Sequence, residues 1–106
     1  MSAPAGVVVL AASAVDAMLK AKNYKDGSLY ARIDKAAQDH EITSDMAAWA
    51  HEVRLDANEQ RHSDDSAPLP GTEDAARLIE FVRALGTFMF VLPSRIKRGL
   101  EDAKSA

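Results

Sequence analysis

The sequence predicts an all-α fold: an up-and-down bundle of four main helices, with room for a short fifth at the C-terminus. Three observations carry this expectation. Apolar residues recur at three- and four-residue steps through most of the chain, no sustained apolar–polar alternation marks a strand, and β-branched residues gather only at Val7, Val8 and Val9. Amphipathic helices joined by short connections bury their stripes most simply by packing against one another as a bundle.

The first helix is expected from about Ala5 to Lys22, where Val8, Ala11, Ala12, Val15, Met18 and Leu19 fall on one stripe. Its start, Gly6 to Ala14, has the apolar character of a signal-peptide core. No Lys or Arg precedes it, however, and the pattern continues past it, so it reads as part of the fold. Turn formers from Asn23 to Ser28 end this helix, and a shorter one follows with Leu29, Ile33, Ala36 and Ala37 on a common face. His40 falls in the connection behind it.

Thr43 and Ser44 can accept a hydrogen bond from a free N–H at a helix start, and Asp45 suits the positive first turn. The third helix is therefore expected from Ser44 to Arg61 or His62, with Met46, Trp49, Val53 and Ala57 as its core stripe. Ser63 to Gly71 contains two prolines and a glycine among short polar residues and reads as a loop. The fourth helix starts behind Thr72-Glu73-Asp74 and carries Leu78, Phe81, Val82, Leu85, Phe88, Met89 and Leu92, which makes it the expected centre of the core. Pro93 disfavours helical backbone at Leu92 and lacks an N–H, so the helix is expected to stop or kink there. A basic stretch, Arg95 to Arg98, and a frayed tail would follow.

A chain of 106 residues is the length of one domain, so residues 1–106 are expected to form a single unit. Apolar residues make up 47% of it and charged residues 27%, as in globular proteins rather than disordered segments. The formal charge of −3 argues against tight unaided DNA binding, which needs phosphate neutralisation. The absence of cysteine excludes disulfides and thiol chemistry and fits a reducing cytoplasm. No uninterrupted apolar stretch has the length of a membrane span.

The third helix carries a second, polar face. At about 100° per residue, Arg54, Asn58 and His62 step round by only about 40° each, and His51 and Leu55 point into the same sector. A guanidinium, an amide and an imidazole could thus line one groove, with Arg54 holding a phosphate and His62 transferring a proton near neutral pH. The plainer reading pairs Arg54 with a surface acid, bonds Asn58 to a loop and leaves His62 as a favourable charge at a helix end.

The segments Leu29 to Ile33 and Ile42 to His62, with Trp49-Ala50-His51, Arg54-Leu55 and Asn58 followed by His62, resemble domain-of-unknown-function family 4145 of the HEPN superfamily. Asp74 to Arg95, containing Phe90-Val91-Leu92-Pro93, is similar to the last helix of the same family. The resemblance runs over roughly residues 28–99. It implies a HEPN-like helical bundle that commonly forms homodimers, in a superfamily many of whose members are metal-independent ribonucleases of toxin–antitoxin and phage-defence systems. On that model Arg54 would steady the scissile phosphate and His62 would act as acid or base, with Asn58 in support. His51 and Leu55 would lie on the groove or dimer face.

Seven residues separate Arg54 from His62, where such ribonucleases have a shorter spacing, and Leu55 is apolar where active members often carry a polar residue. The expectation that follows is a cytoplasmic, dimeric interaction module with a protein partner; the alternative is an endoribonuclease acting on RNA. No cofactor and no metal is implied. His51 and His62 are too far apart along one helix to share an ion, and the sequence has no zinc-protease signature and no Gly-rich phosphate loop.

Overall fold

The computed structural model describes the backbone over residues 4–62 and 72–105 and the side chains over 6–59 and 75–105. The described chain is helical and forms an all-α bundle: α1 (Pro4–Ala21), α2 (Leu29–Gln38), α3 (Ser44–His62), α4 (Thr72–Gly86), a π-helical turn (Thr87–Val91) and α5 (Leu92–Ser105). The loop expected at residues 63–71, and the capping role expected of Thr72, Glu73 and Asp74, lie outside the described residues.

Local chemistry sets the first three helices. Both α1 and α2 end in a left-handed residue, Asn23 at φ 72° and His40 at φ 61°, two residue types that enter that region more readily than most. Behind each, the chain folds back to close the end, Tyr24 N–H donating to Leu19 C=O and Glu41 N–H to Ala36 C=O, both at 2.9 Å. Ser28 caps α2 by accepting from the Ala31 N–H at 3.1 Å, and Thr43 caps α3 by accepting from the Met46 N–H at 3.0 Å.

The connection between α1 and α2 is organised by Arg32, the one buried charged side chain among the described residues. Its guanidinium pairs with Asp16 on α1 and donates to the carbonyls of Gly27 and Tyr24. Burial works to raise the pKa of Asp16, but hydrogen bonds from Lys20 and Arg32 overcome it and hold the carboxyl below its usual range. Nearby, the Tyr24 hydroxyl donates to Asp39 at 2.9 Å. Burial, with the Asp39 carboxylate beside it, pushes the Tyr24 pKa up to about 12.

The core forms around α1, which packs against α2, α3 and α4, rather than around α4 as the sequence suggested. The physical reason is side-chain size. Ala11 and Ala12 on α1 and Ala47, Ala50 and Ala57 on α3 are all buried, and small residues let two helix backbones approach closely. The expected stripe of α1 is buried as read, with Met18 partly covered. From α4 the core takes Leu78, Phe81, Leu85 and, one turn on, Met89, while Ile79 stays half exposed.

Two further expectations are corrected. Trp49 is 40% exposed rather than central to the α3 stripe. Ala47, Ala50, Val53 and Ala57 take the buried positions of α3, and the indole lies at the edge against Phe81 of α4, centroids 4.7 Å apart. Nor does the helix stop at Pro93. The backbone stays right-handed helical at Gly86 and Leu92, and the Leu92 N–H bonds to Thr87 C=O, five residues back. A proline ring presses on the carbonyl four residues before it in a regular α-helix; the wider π-turn gives the ring space and lets the helix run on. The tail is thus ordered as α5 instead of frayed. It buries no residue and, among the described residues, packs on no element except the π-turn it grows from, extending the molecule to 61 Å along its long axis.

Candidate functional site

The polar face of α3 meets α2. Tyr30 and Asp34 stand four residues apart on α2, and His51 and Arg54 three apart on α3, so each pair occupies one side of its helix. Where the helices touch, the four side chains form a continuous cluster. His51 Nε2 lies 2.8 Å from Asp34 Oδ1, and Arg54 Nε donates to His51 Nδ1 at 3.4 Å. The Tyr30 ring lies 4.8 Å from the His51 ring, and the Arg54 guanidinium sits 5.1 Å above the centroid of Tyr30. With Nδ1 accepting, the arrangement fits the imidazole tautomer that carries its proton on Nε2 and donates it to Asp34.

This geometry has chemical consequences. Both nitrogens of His51 are engaged within the chain, so in this conformation neither is available to move a proton. Arg54 is oriented by His51 through Nε and by Tyr30 through its face, and none of the ion pairs among the described residues involves it. Its terminal nitrogens keep the fork geometry that binds a carboxylate or phosphate.

Of the residues singled out in the sequence, Arg54 and His51 come together. Asn58 and Leu55 are exposed further along α3, Leu55 at 49%. The His62 side chain lies outside the described residues. Asp34 and Tyr30 were missed. Their four-residue spacing on a short helix was legible, but nothing in a single sequence states which face of α2 meets α3. Among the described residues no group of three His, Asp or Glu side chains is placed to hold a metal ion.

A second surface feature is apolar. Val7, Leu10 and Ala14 of α1 and Leu78, Ile79 and Val82 of α4 line an open groove of about 290 Å³. Further on, Leu92, Ile96 and Leu100 of α5 are 41%, 55% and 58% exposed.

The fold and these surfaces define an all-α bundle with a polar clasp between two helices and an uncovered C-terminal helix. The chain belongs to the family described as "Domain of unknown function (DUF4145)", whose model matches residues 2–102. No curated protein and no solved structure matches it. Among the described residues no helix is long and apolar enough to cross a membrane.

Proposed function

We propose that the chain is a HEPN-like interaction module that works as a cytoplasmic homodimer and receives a protein partner, in the setting of toxin–antitoxin or phage-defence systems. One observation carries this reading: α5, whose apolar residues are exposed along its length while no residue of it is buried. Soluble monomers seldom expose a contiguous apolar strip of this kind, and such strips mark interaction sites. The engagement of both His51 ring nitrogens within the chain supports the same reading, since it leaves that imidazole no free nitrogen for proton transfer. Sedimentation velocity on the full chain tests it. The expected species has twice the 11.4 kDa chain mass at tens of micromolar, and a monomer at every concentration would end the proposal.

Arg54 favours a second reading, a metal-independent endoribonuclease using Arg54 and His62 with Asn58 in support. A guanidinium oriented by Nε and by an aromatic face, with its terminal nitrogens outside any described ion pair, suits a phosphodiester. The check is cleavage of mixed single-stranded RNA in EDTA. Activity in the wild type that disappears in a folded His62→Ala variant would establish this reading over the first.

A further inference from the structure

Beyond self-association, we propose that α5 lies flat in the interface of an anionic lipid membrane, with its apolar strip among the acyl chains and its basic residues at the headgroups. The attachment is peripheral. A helix of 14 residues is about 21 Å long, short of the roughly 30 Å of a bilayer core.

The layout of α5 is the first of three observations. At about 100° per residue, Leu92, Ile96, Leu100 and Ala103 lie within about 80° of one another, and the three large residues are exposed. Lys97 and Lys104 border this strip on one side, about 80–100° from its centre, and Arg95 borders it on the other. Ser94, Arg98, Glu101 and Ser105 occupy the back, and Asp102 lies between Arg95 and the back. Basic side chains at such borders cover apolar surface with their stems and carry their charges out to the headgroups. Of the α-helices, α5 also has the lowest mean hydropathy, and a low mean with a well separated apolar face and basic flanks marks a helix that lies on a membrane.

Charge segregation is the second. With four basic and two acidic residues α5 has a formal charge of +2, which leaves −5 for the rest of a chain whose total is −3. Anionic lipid attracts such a segment. Reach is the third. Among the described residues α5 packs on no element except the π-turn, and its last turns stand farther from that turn than about 8 Å, the distance over which exposed charges act at physiological ionic strength. The acids of the bundle therefore do not cancel its cations. RNA would satisfy the charge of α5 but not its apolar strip. The α1–α4 groove, neutral apart from Arg83, stays available for self-association.

The test is co-sedimentation of the full chain with vesicles of equal parts phosphatidylserine and phosphatidylcholine, against vesicles of phosphatidylcholine alone. Partitioning is expected to be at least tenfold stronger onto the anionic vesicles and to weaken as salt is raised. Lys97→Glu and Arg98→Glu change the charge equally but sit at the border and at the back, so the first should weaken binding several-fold more. Equal losses would mean loose adsorption by net charge and would overturn the seated helix. Ile96→Asp should abolish binding and leave the melt of the bundle unchanged, because α5 buries no residue. The chain has no cysteine, so a polarity-sensitive dye can be attached at Ile96→Cys or at Ser94→Cys; on vesicles the first should shift to the blue and the second should not. Equal partitioning onto both kinds of vesicle, no partitioning, or binding to single-stranded RNA in place of vesicles would each end the inference. Sedimentation velocity without lipid decides self-association separately: a dimer that ignores vesicles ends this inference alone, and a monomer that binds them ends only the other.

Discussion

His51 and Asp34, seventeen positions apart in the chain, meet at 2.8 Å and join α3 to α2, and the far nitrogen of the same imidazole accepts from Arg54. His51 therefore serves as a bridge between an acid and a base rather than as an open proton carrier. His51 is 20% exposed at its side chain and Asp34 41%, so water weakens the contact without displacing it.

The bridge makes the three residues energetically interdependent. His51→Ala and Arg54→Ala are each expected to destabilise by about 1 kcal/mol, the typical net contribution of a hydrogen bond. The double variant should lose less than the sum, with a coupling of about 0.5 kcal/mol or more. Urea midpoints of the four proteins give the answer, and strict additivity would mean that the 3.4 Å contact does not contribute.

Trp49 is the single tryptophan of the chain, and its ring rests on Phe81, which is 1% exposed. Phe81→Ala should cost about 3–5 kcal/mol, as for other buried aromatics. It should also shift the folded-state tryptophan emission towards that of the unfolded chain. Fluorescence-monitored urea unfolding reads both, and an unchanged folded spectrum would mean that the indole does not depend on this contact.

Stability should fall at both extremes of pH, for opposite reasons. Asp16 titrates lower in the fold than an ordinary aspartate, so its contribution is complete above the usual carboxylate range and is lost as pH falls through the folded value. Asp39, held low by the Tyr24 hydroxyl and by Lys35, adds to this acid limb. Tyr24 titrates near 12 in the fold against 10.0 ordinarily, so its contribution is complete below pH 10 and is lost between the two values. Thermal melts across pH should show Tyr24→Phe flattening the alkaline limb and Asp16→Asn the acid one. An alkaline limb unchanged in Tyr24→Phe would place its origin elsewhere.

Pro93→Ala restores an N–H and removes the ring that the π-turn accommodates. The helix from Thr72 to Ser105 should then settle as regular α-helix, gaining up to about 3 kcal/mol, the cost of an interior proline. Amide exchange across residues 87–97 should slow. Unchanged protection there would show that the π-turn is held by packing at Met89, which is fully buried, and not by the proline.

Much of the fold was legible because helix periodicity is a local property. Val8, Ala11, Ala12, Val15 and Leu19 are buried as their spacing dictated, and α3 has the expected bounds. Trp49 was misplaced because a wheel reports direction along one helix and not where its neighbours lie, and here Ala47 and Ala50 are buried while the indole is half exposed. The helix does not stop at Pro93 because the preceding turn widens to receive the ring, which a single residue cannot reveal. Half of the polar cluster was legible, since His51 and Arg54 lie on one helix. Asp34 and Tyr30 become their partners only once α2 has docked, and that docking depends on Ile33 and Ala36, both fully buried on the inner side of α2.

The π-turn has an outcome for descent as well as for geometry. It holds one residue more than an α-turn, so the loss of a single codon between Thr87 and Val91 would restore the regular repeat while the helix beyond keeps close to its present direction, because the extra residue is taken up by the width of the turn. The bundle would survive, because α5 contributes nothing to its interior. A lineage of such proteins can therefore change its length by one residue at this turn while the C-terminal strip keeps its direction and the folded core stays as it was.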